Sequence, residues 1–291
     1  MNLRDLNYLS VLAEQGHFGK AAAKCFISQP TLSMQIKKLE QELGVALLER
    51  SGKSILLTEV GHQVVEHARE ILQQTKQIRE IAAAARDPEA GELKVGIIPT
   101  LAPYFLPRII PRITSAFPKL KLYLFEDRTA HLIAKLSQGI IDTAILALPI
   151  IAQDLTSYHL FDEAFRLAVP SGHSLGKRKL IKQADLTNEK LLLLEEGHCL
   201  RDQALAICAT ANALENKNFQ GTSLETLRHM IAAGMGVTLM PELACLSHEQ
   251  ISYVAFSTPK PSRAIGMLWR TSSVKIPLLI AFGALIRKVM C

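Results

Sequence analysis

Residues 18–44 read FGKAAAKCFISQPTLSMQIKKLEQELG, and the spacing inside this stretch decides the N-terminal fold. A short alanine-rich helix is expected from Gly19 to Cys25, followed by a tight turn at Ile27. Ser28 stands where a helix N-cap belongs, and Pro30 falls in the first turn, where its missing N–H costs nothing. Leu32, Ile36, Leu39 and Leu43 step by 4, 3 and 4, so one face of the next helix is apolar up to a stop at Gly44. The opposite face carries Thr31, Met34, Gln35, Lys37 and Lys38. Upstream, Leu3, Leu6, Leu9, Leu12 and Ala13 predict a helix that ends at Gly16. Downstream, Ala46–Arg50 and Ser54–Leu57 flank Ser51-Gly52-Lys53 as the arms of a small hairpin.

Helix, turn, polar-faced helix and hairpin together make the winged helix-turn-helix pattern, whose second helix enters the DNA major groove. Gln29, Pro30 and Thr31 open that helix, and Gln29, Thr31, Ser33 and Gln35 have side chains that both donate and accept hydrogen bonds, as base readout requires. Lys37, Lys38, Arg50 and Lys53 are placed for phosphates, which give affinity and register. A plain three-helix bundle with a solvated face meets the same periodicity. Charge does not choose between the two. Residues 1–58 hold seven basic side chains against five acidic ones, a net of +2, whereas the chain from Gln250 onward holds six basic and none acidic.

Beyond Thr58, the expected N-cap, a long helix runs from Glu59 to about Ala85. Val64, Ala68, Ile71, Thr75, Ile78 and Ala82 alternate steps of 4 and 3, the seam of a two-stranded coiled coil, so a homodimer is expected. Arg86–Gly91 breaks the helix. The expected domains are residues 1–58 for the reader, 59–88 for the linker helix and 91–291 for an effector domain. From Leu93 to Trp269 strand-like runs alternate with helical patterns, which predicts α/β architecture with largely parallel sheets. The whole is thus an α+β multidomain chain.

The composition, 48% hydrophobic and 21% charged, is that of an ordinary globular protein, and a net charge of +6 suits a polyanionic partner. Met1–Asp5 carries charges where a signal peptide would be apolar, and Pro277–Ile286 is about half the length of a membrane span. A cytoplasmic protein without a membrane partner is expected. Five cysteines, an odd number, argue against a disulfide framework. Cys25, Cys245 and Cys291 read as packing residues. There is no CxxC or paired-histidine spacing, so neither metal nor cofactor is expected.

Cys199 differs because of its neighbours. Gly197 ends the preceding segment and puts Cys199 in the first turn of a helix, where free N–H groups and the dipole favour a thiolate, with His198 and Arg201 close in sequence. Cys208 lies nine residues on. Sharing one helix, the two would be separated by roughly 13.5 Å along the axis. A disulfide needs Cα atoms within about 7 Å, so closing it would unwind the segment between them.

Phe18–Leu48, with Ala21-Ala22, Ser28–Ser33, Ile36, Leu39-Glu40, Leu43-Gly44 and Leu47–Arg50, resembles the LysR-type transcription regulators. The resemblance continues through the linker helix and an effector domain similar to periplasmic binding proteins. Its two subdomains would comprise about 91–163 with 267–291, and about 164–266. The wing sequence Ser51-Gly52-Lys53-Ser54 departs from the commoner family pattern, which has a second arginine there. Ile98–Thr100, Thr129, Phe161–Glu163, Gly197–Ala204, Cys208 and Thr222–Arg228 are similar to the peroxide-sensing members of that family. This resemblance implies a peroxidatic Cys199, a resolving Cys208, and Thr100, Thr129 and His198 in a peroxide pocket. It also implies promoter DNA, a homotetramer, RNA polymerase and a glutaredoxin- or thioredoxin-like thiol reductant as partners. The rival expectation is a family member that binds a small organic ligand between its effector subdomains. Neither reading is an enzyme.

Overall fold

The computed structural model describes residues 1–51, 54–84, 91–209 and 214–290. For residues 50, 51, 54, 80, 83, 84, 208, 209, 214 and 216–218 only the backbone is described. Two compact units divide the chain, Met1–Ala82 and Ala83–Cys291.

Capping chemistry sets the helix boundaries of the first unit. Helix α1 (Leu3–Gln15) starts at a capping box in which Asn2 Oδ1 accepts from the Arg4 and Asp5 N–H groups at 2.8 and 3.2 Å. It ends at Gly16 with φ of 58°. Helix α2 (Phe18–Lys24) begins one residue before the expected start because His17 Nδ1 accepts from the Gly19 N–H at 2.9 Å and acts as its cap. In helix α3 (Gln29–Leu43) the Ser28 hydroxyl accepts from the Thr31 N–H at 3.3 Å, and Gly44 closes the helix at φ 71°. Strands β1 (Leu48–Ser51) and β2 (Ser54–Leu57) pair antiparallel, with Leu48 opposite Leu57. The wing residues Gly52 and Lys53 lie outside the described residues. Leu9, Leu12, Ala21, Ala22, Leu32, Ile36, Leu39 and Leu47 form the core of this unit.

Helix α4 (Glu59–Ala84) is capped by Thr58, whose hydroxyl accepts from the Gly61 N–H and donates to Ala46 O, both at 2.9 Å. Its apolar positions serve two purposes. Val65, outside the seam read in the sequence, and Ala68 are buried in the first unit. Further along, Ile71, Ile78 and Ile81 are 39%, 66% and 54% exposed. The first turns complete the first unit's core; the later ones present an apolar stripe.

The second unit runs β3 (Gly91–Ile97), α5 (Ala102–Ala116), β4 (Leu120–Glu126), α6 (Thr129–Ser137), β5 (Thr143–Leu148) and β6 (Leu155–Pro170). It continues with β7 (Leu180–Ile181), β8 (Lys190–Leu194), α7 (Cys199–Ala209), β9 (Leu214–Gly221) and α8 (Leu224–Ala232). Then come β10 (Thr238–Pro241), β11 (Ile251–Phe256), β12 (Ser262–Arg270) and α9 (Ile276–Met290). The main sheet has the order β4-β3-β5-β12-β6-β11-β7, with β10 also on β6, while β8 and β9 pair apart.

The expectation of largely parallel sheets is corrected. Pairs β3–β4, β3–β5, β7–β11 and β8–β9 are parallel, but β5–β12, β6–β12, β6–β10 and β6–β11 are antiparallel. The cause is the chain's route between two lobes. Strand β6, sixteen residues long, leaves one lobe for the other, and β12 returns beside its first half in the opposite sense. One apolar core centres on Val95, Phe105, Ile145, Trp269 and Phe282. The other centres on Leu167, Leu192, Leu227, Leu239 and Phe256. They interlock: Tyr104 of α5 is buried in the second core, whereas Cys199 packs against the first. No helix among the described residues is long and apolar enough to cross a membrane.

Candidate functional site

Two candidate sites follow from these elements, the solvent-facing side of α3 in the first unit and a thiol site in the second. On α3, Gln29, Pro30, Lys37 and Lys38 are exposed, and Thr31, Ser33 and Gln35 are half-buried. Pro30, Lys37 and Lys38 lie on the far side of the helix from Leu32, Ile36 and Leu39, which are 0–1% exposed. The Thr31 hydroxyl is 2.7 Å from that of Ser28 and belongs to the helix cap. Glu40 on the same helix accepts from the Leu47 and Leu48 N–H groups at 2.9 and 3.2 Å, which ties the hairpin to the reading helix. Phe26 escaped sequence reading. It occupies the turn before α3 at φ 56°, unusual for a bulky residue, and is 95% exposed. The Arg50 side chain and Lys53 lie outside the described residues.

In the second unit, β8 stops at Leu194, Gly197 turns the chain at φ 90°, and α7 starts at Cys199 and continues past Cys208. Both cysteines therefore stand on one regular helix, first residue and tenth. At 1.5 Å per residue their backbones are about 13.5 Å apart along its axis. Of the other cysteines, Cys245 is pushed up to about 12 by burial and Cys25 is raised by burial against the pull of Lys24, as suits inert packing residues. Cys291 lies outside the described residues.

Cys199 stands on a helix whose Leu200 and Ala204 belong to the second core, and itself packs against the first. His198 is 6% exposed. Burial foremost, and then the neighbouring Arg128 cation, lower its pKa against the opposing pull of Glu195, so it is an uncharged imidazole at neutral pH. Thr100 is buried, and its hydroxyl and carbonyl oxygens accept from Arg263 at 3.1 and 3.2 Å. With its lone pair engaged, that hydroxyl keeps a proton to donate. Arg263 is itself completely buried and paired with Glu163 at 2.7 Å, and Glu163 accepts from the Leu243 N–H at 3.0 Å. The Thr129 hydroxyl and Gln203 Oε1 are buried and without a hydrogen-bond partner among the described residues. Leaving such groups unmet costs about 1–3 kcal/mol each, which a small polar guest would relieve.

Arg201, expected near the thiol, is turned elsewhere. Its guanidinium donates to Leu194 O at 3.1 Å and to Glu215 at 2.7 Å, pinning α7 to β8 and β9. The cation beside the loop before Cys199 is instead Arg128. Pro99, Arg128 and His198 line one cleft of about 370 Å³, together with Glu195 and Glu225. This brings the neighbours of Thr100, Thr129 and Cys199 to a common space. Arg263 and Arg128 carried no sequence signal, since each acquires its meaning from residues distant in the chain, whereas Gln203 lies within the Gly197–Ala204 stretch singled out in the sequence.

The model "Bacterial regulatory helix-turn-helix protein, lysR family" matches residues 3–62, and "LysR substrate binding domain" matches residues 86–291. The hydrogen peroxide-inducible genes activator of Dickeya chrysanthemi is 47% identical over 276 residues, 94% of this chain and 90% of the relative. The DNA-binding transcriptional dual regulator OxyR of Escherichia coli K12 is similar to the same extent, 47% over 94% of this chain and 90% of its own. Among solved structures, a full-length OxyR variant from Pseudomonas aeruginosa matches with a TM-score of 0.78 and 40% identity, over 99% of this chain and 98% of that one.

Proposed function

We propose, from the premise that this chain belongs to the LysR family of regulators, that it is a hydrogen-peroxide-responsive transcription regulator switched by a reversible Cys199–Cys208 disulfide. The observation that carries this reading is the placement of both cysteines on one unbroken helix. In the first step the Cys199 thiolate attacks one peroxide oxygen, the O–O bond breaks, and sulfenic acid and hydroxide form. In the second, the Cys208 sulfur attacks that sulfenic acid, its proton leaves with the hydroxyl as water, and the disulfide forms. Because the bond cannot span the helix, forming it remodels the segment, which gives the switch two states.

Thr100, Thr129 and His198 are proposed as the peroxide pocket. Arg263 orients the Thr100 hydroxyl, and the unmet Thr129 and Gln203 oxygens supply further contacts for the guest. The exposed Ile71, Ile78 and Ile81 stripe supports pairing of linker helices into a homodimer. Two dimers would form a tetramer on a promoter with an inverted repeat and alter contact with RNA polymerase. A thiol reductant of the glutaredoxin or thioredoxin kind would reset the bond in the cytoplasm. The function is signalling without turnover.

Counting free thiols before and after a brief low dose of peroxide tests this reading. The wild type is expected to lose two thiols per chain, Cys208→Ser one, and Cys199→Ser none. Unchanged thiols in the wild type would sink it. For the reader, retardation of promoter DNA should weaken steeply with salt through counterion release. Gln29→Ala should relax sequence preference at a base, whereas Lys37→Ala should weaken all sequences alike and flatten the salt slope by about 1. Equal effects of the two variants on every sequence would remove Gln29 from the readout.

A further inference from the structure

Arg128 reaches from one lobe to the other at the point where the switch has to move. Its backbone is anchored in the first lobe, immediately before α6, where its N–H donates to Asp127 Oδ1 at 2.8 Å. Asp127 is held in turn by Lys135 at 2.7 Å and His131 at 2.9 Å. From this footing the guanidinium crosses the cleft and pairs with Glu195 of the second lobe. It also lies against Gly197. A Cβ on that glycine would be 3.2 Å from both Arg128 Cδ and Nη1. The Glu195 oxygen that accepts from Arg128 is 3.9 Å from His198 Nε2. Residues 195–198 thus form the only covalent link between β8 and the first turn of α7, and Arg128 grips two of them.

We propose that Arg128 is a latch: a positioning residue that holds the Glu195–His198 loop, and with it Cys199, in the helical thiol form, and so limits how fast Cys199 swings to Cys208. The inference rests on the peroxide-switch reading above. Arg128 acts on the second chemical step, because only disulfide closure requires the loop to leave the guanidinium. The pair is half-exposed, 40% at Arg128 and 31% at Glu195, so salt weakens it. High ionic strength therefore loosens the latch in the wild type.

The test separates the two steps in the full-length protein. Trapping the sulfenic acid in Cys208→Ser, with and without Arg128→Gln, reads the first step by itself, so that closure is measured from the sulfenic acid onward. Stopped-flow loss of the second thiol in proteins with both cysteines reads closure. Arg128→Gln should close about two- to fivefold faster, the size of one such charge pair, and should lose the salt acceleration seen in the wild type. The charge-swapped double variant Arg128→Glu/Glu195→Arg should restore both slow closure and its salt dependence. Closure in Arg128→Gln as slow and as salt-sensitive as in the wild type overturns the latch, as does a swap that restores neither. A wild type that loses no thiols would instead defeat the peroxide-switch reading itself.

Discussion

Replacing Arg263 with methionine is expected to cost the second unit about 3–5 kcal/mol, because it leaves the Glu163 carboxylate buried beside an uncharged neighbour. The side chains of the pair are 0% and 2% exposed, and Arg263 bonds Glu163 at 2.8 Å through Nε while holding Thr100 through its other nitrogens. Trp269, the single tryptophan, lies on the same strand and is 3% exposed, so its fluorescence during urea unfolding measures the loss directly.

The double variant Arg263→Met/Glu163→Gln separates stability from function. It removes both charges and should regain most of the lost stability, since a buried ion pair roughly balances its own desolvation. Its peroxide-driven thiol loss should still be slower by on the order of tenfold, because the Thr100 hydroxyl has lost a charged donor that fixes its direction. If Arg263→Met unfolds within about 1 kcal/mol of the wild type, the pair is not the strut described here.

The second large effect is expected at Gly61. A Cβ there would sit 2.1 Å from the backbone oxygen of Leu47 and 3.1 Å from the Thr58 hydroxyl. The obstacle is main chain, which cannot rotate aside. The same Leu47 oxygen accepts from the Thr58 N–H at 3.0 Å and so belongs to the junction of hairpin and linker helix. Gly61→Ala should destabilise the first unit by about 2–3 kcal/mol and abolish promoter retardation. Peroxide-driven thiol loss in the second unit should be unaffected. Gly44→Ala is the informative contrast. It meets nothing within 4 Å, but must adopt φ 71°, a strain of only about 1–2 kcal/mol. Equal losses at the two glycines would mean that backbone strain, and not the clash with Leu47, governs Gly61.

Every feature that the sequence determined by itself is local. Gly16 and Gly44 stop helices because a left-handed residue is cheap only without a Cβ, and both do so at positive φ. Ser28 caps α3 and Thr58 caps α4 through bonds three residues long, and Leu32, Ile36 and Leu39 share a face by helix period alone. The separation of Cys199 from Cys208 belongs with these, since it follows from helical rise once the segment is helix.

Tertiary structure decided what depends on distant partners. Helix α5 runs through Pro107 and Pro111, residues that locally oppose a helix, because its apolar face from Phe105 to Ile113 is buried in the first core. The mixed sense of the sheet comes from where β6 and β12 meet, a hundred residues apart, and no strand carries that in its own pattern. Arg263 with Glu163, and Arg128 with Glu195, are brought together across separations of 100 and 67 residues. Burial and charge pairing at such range are properties of the folded surroundings of each side chain: Arg263 meets Glu163 only once β12 pairs with β6, and Arg128 meets Glu195 only across the cleft.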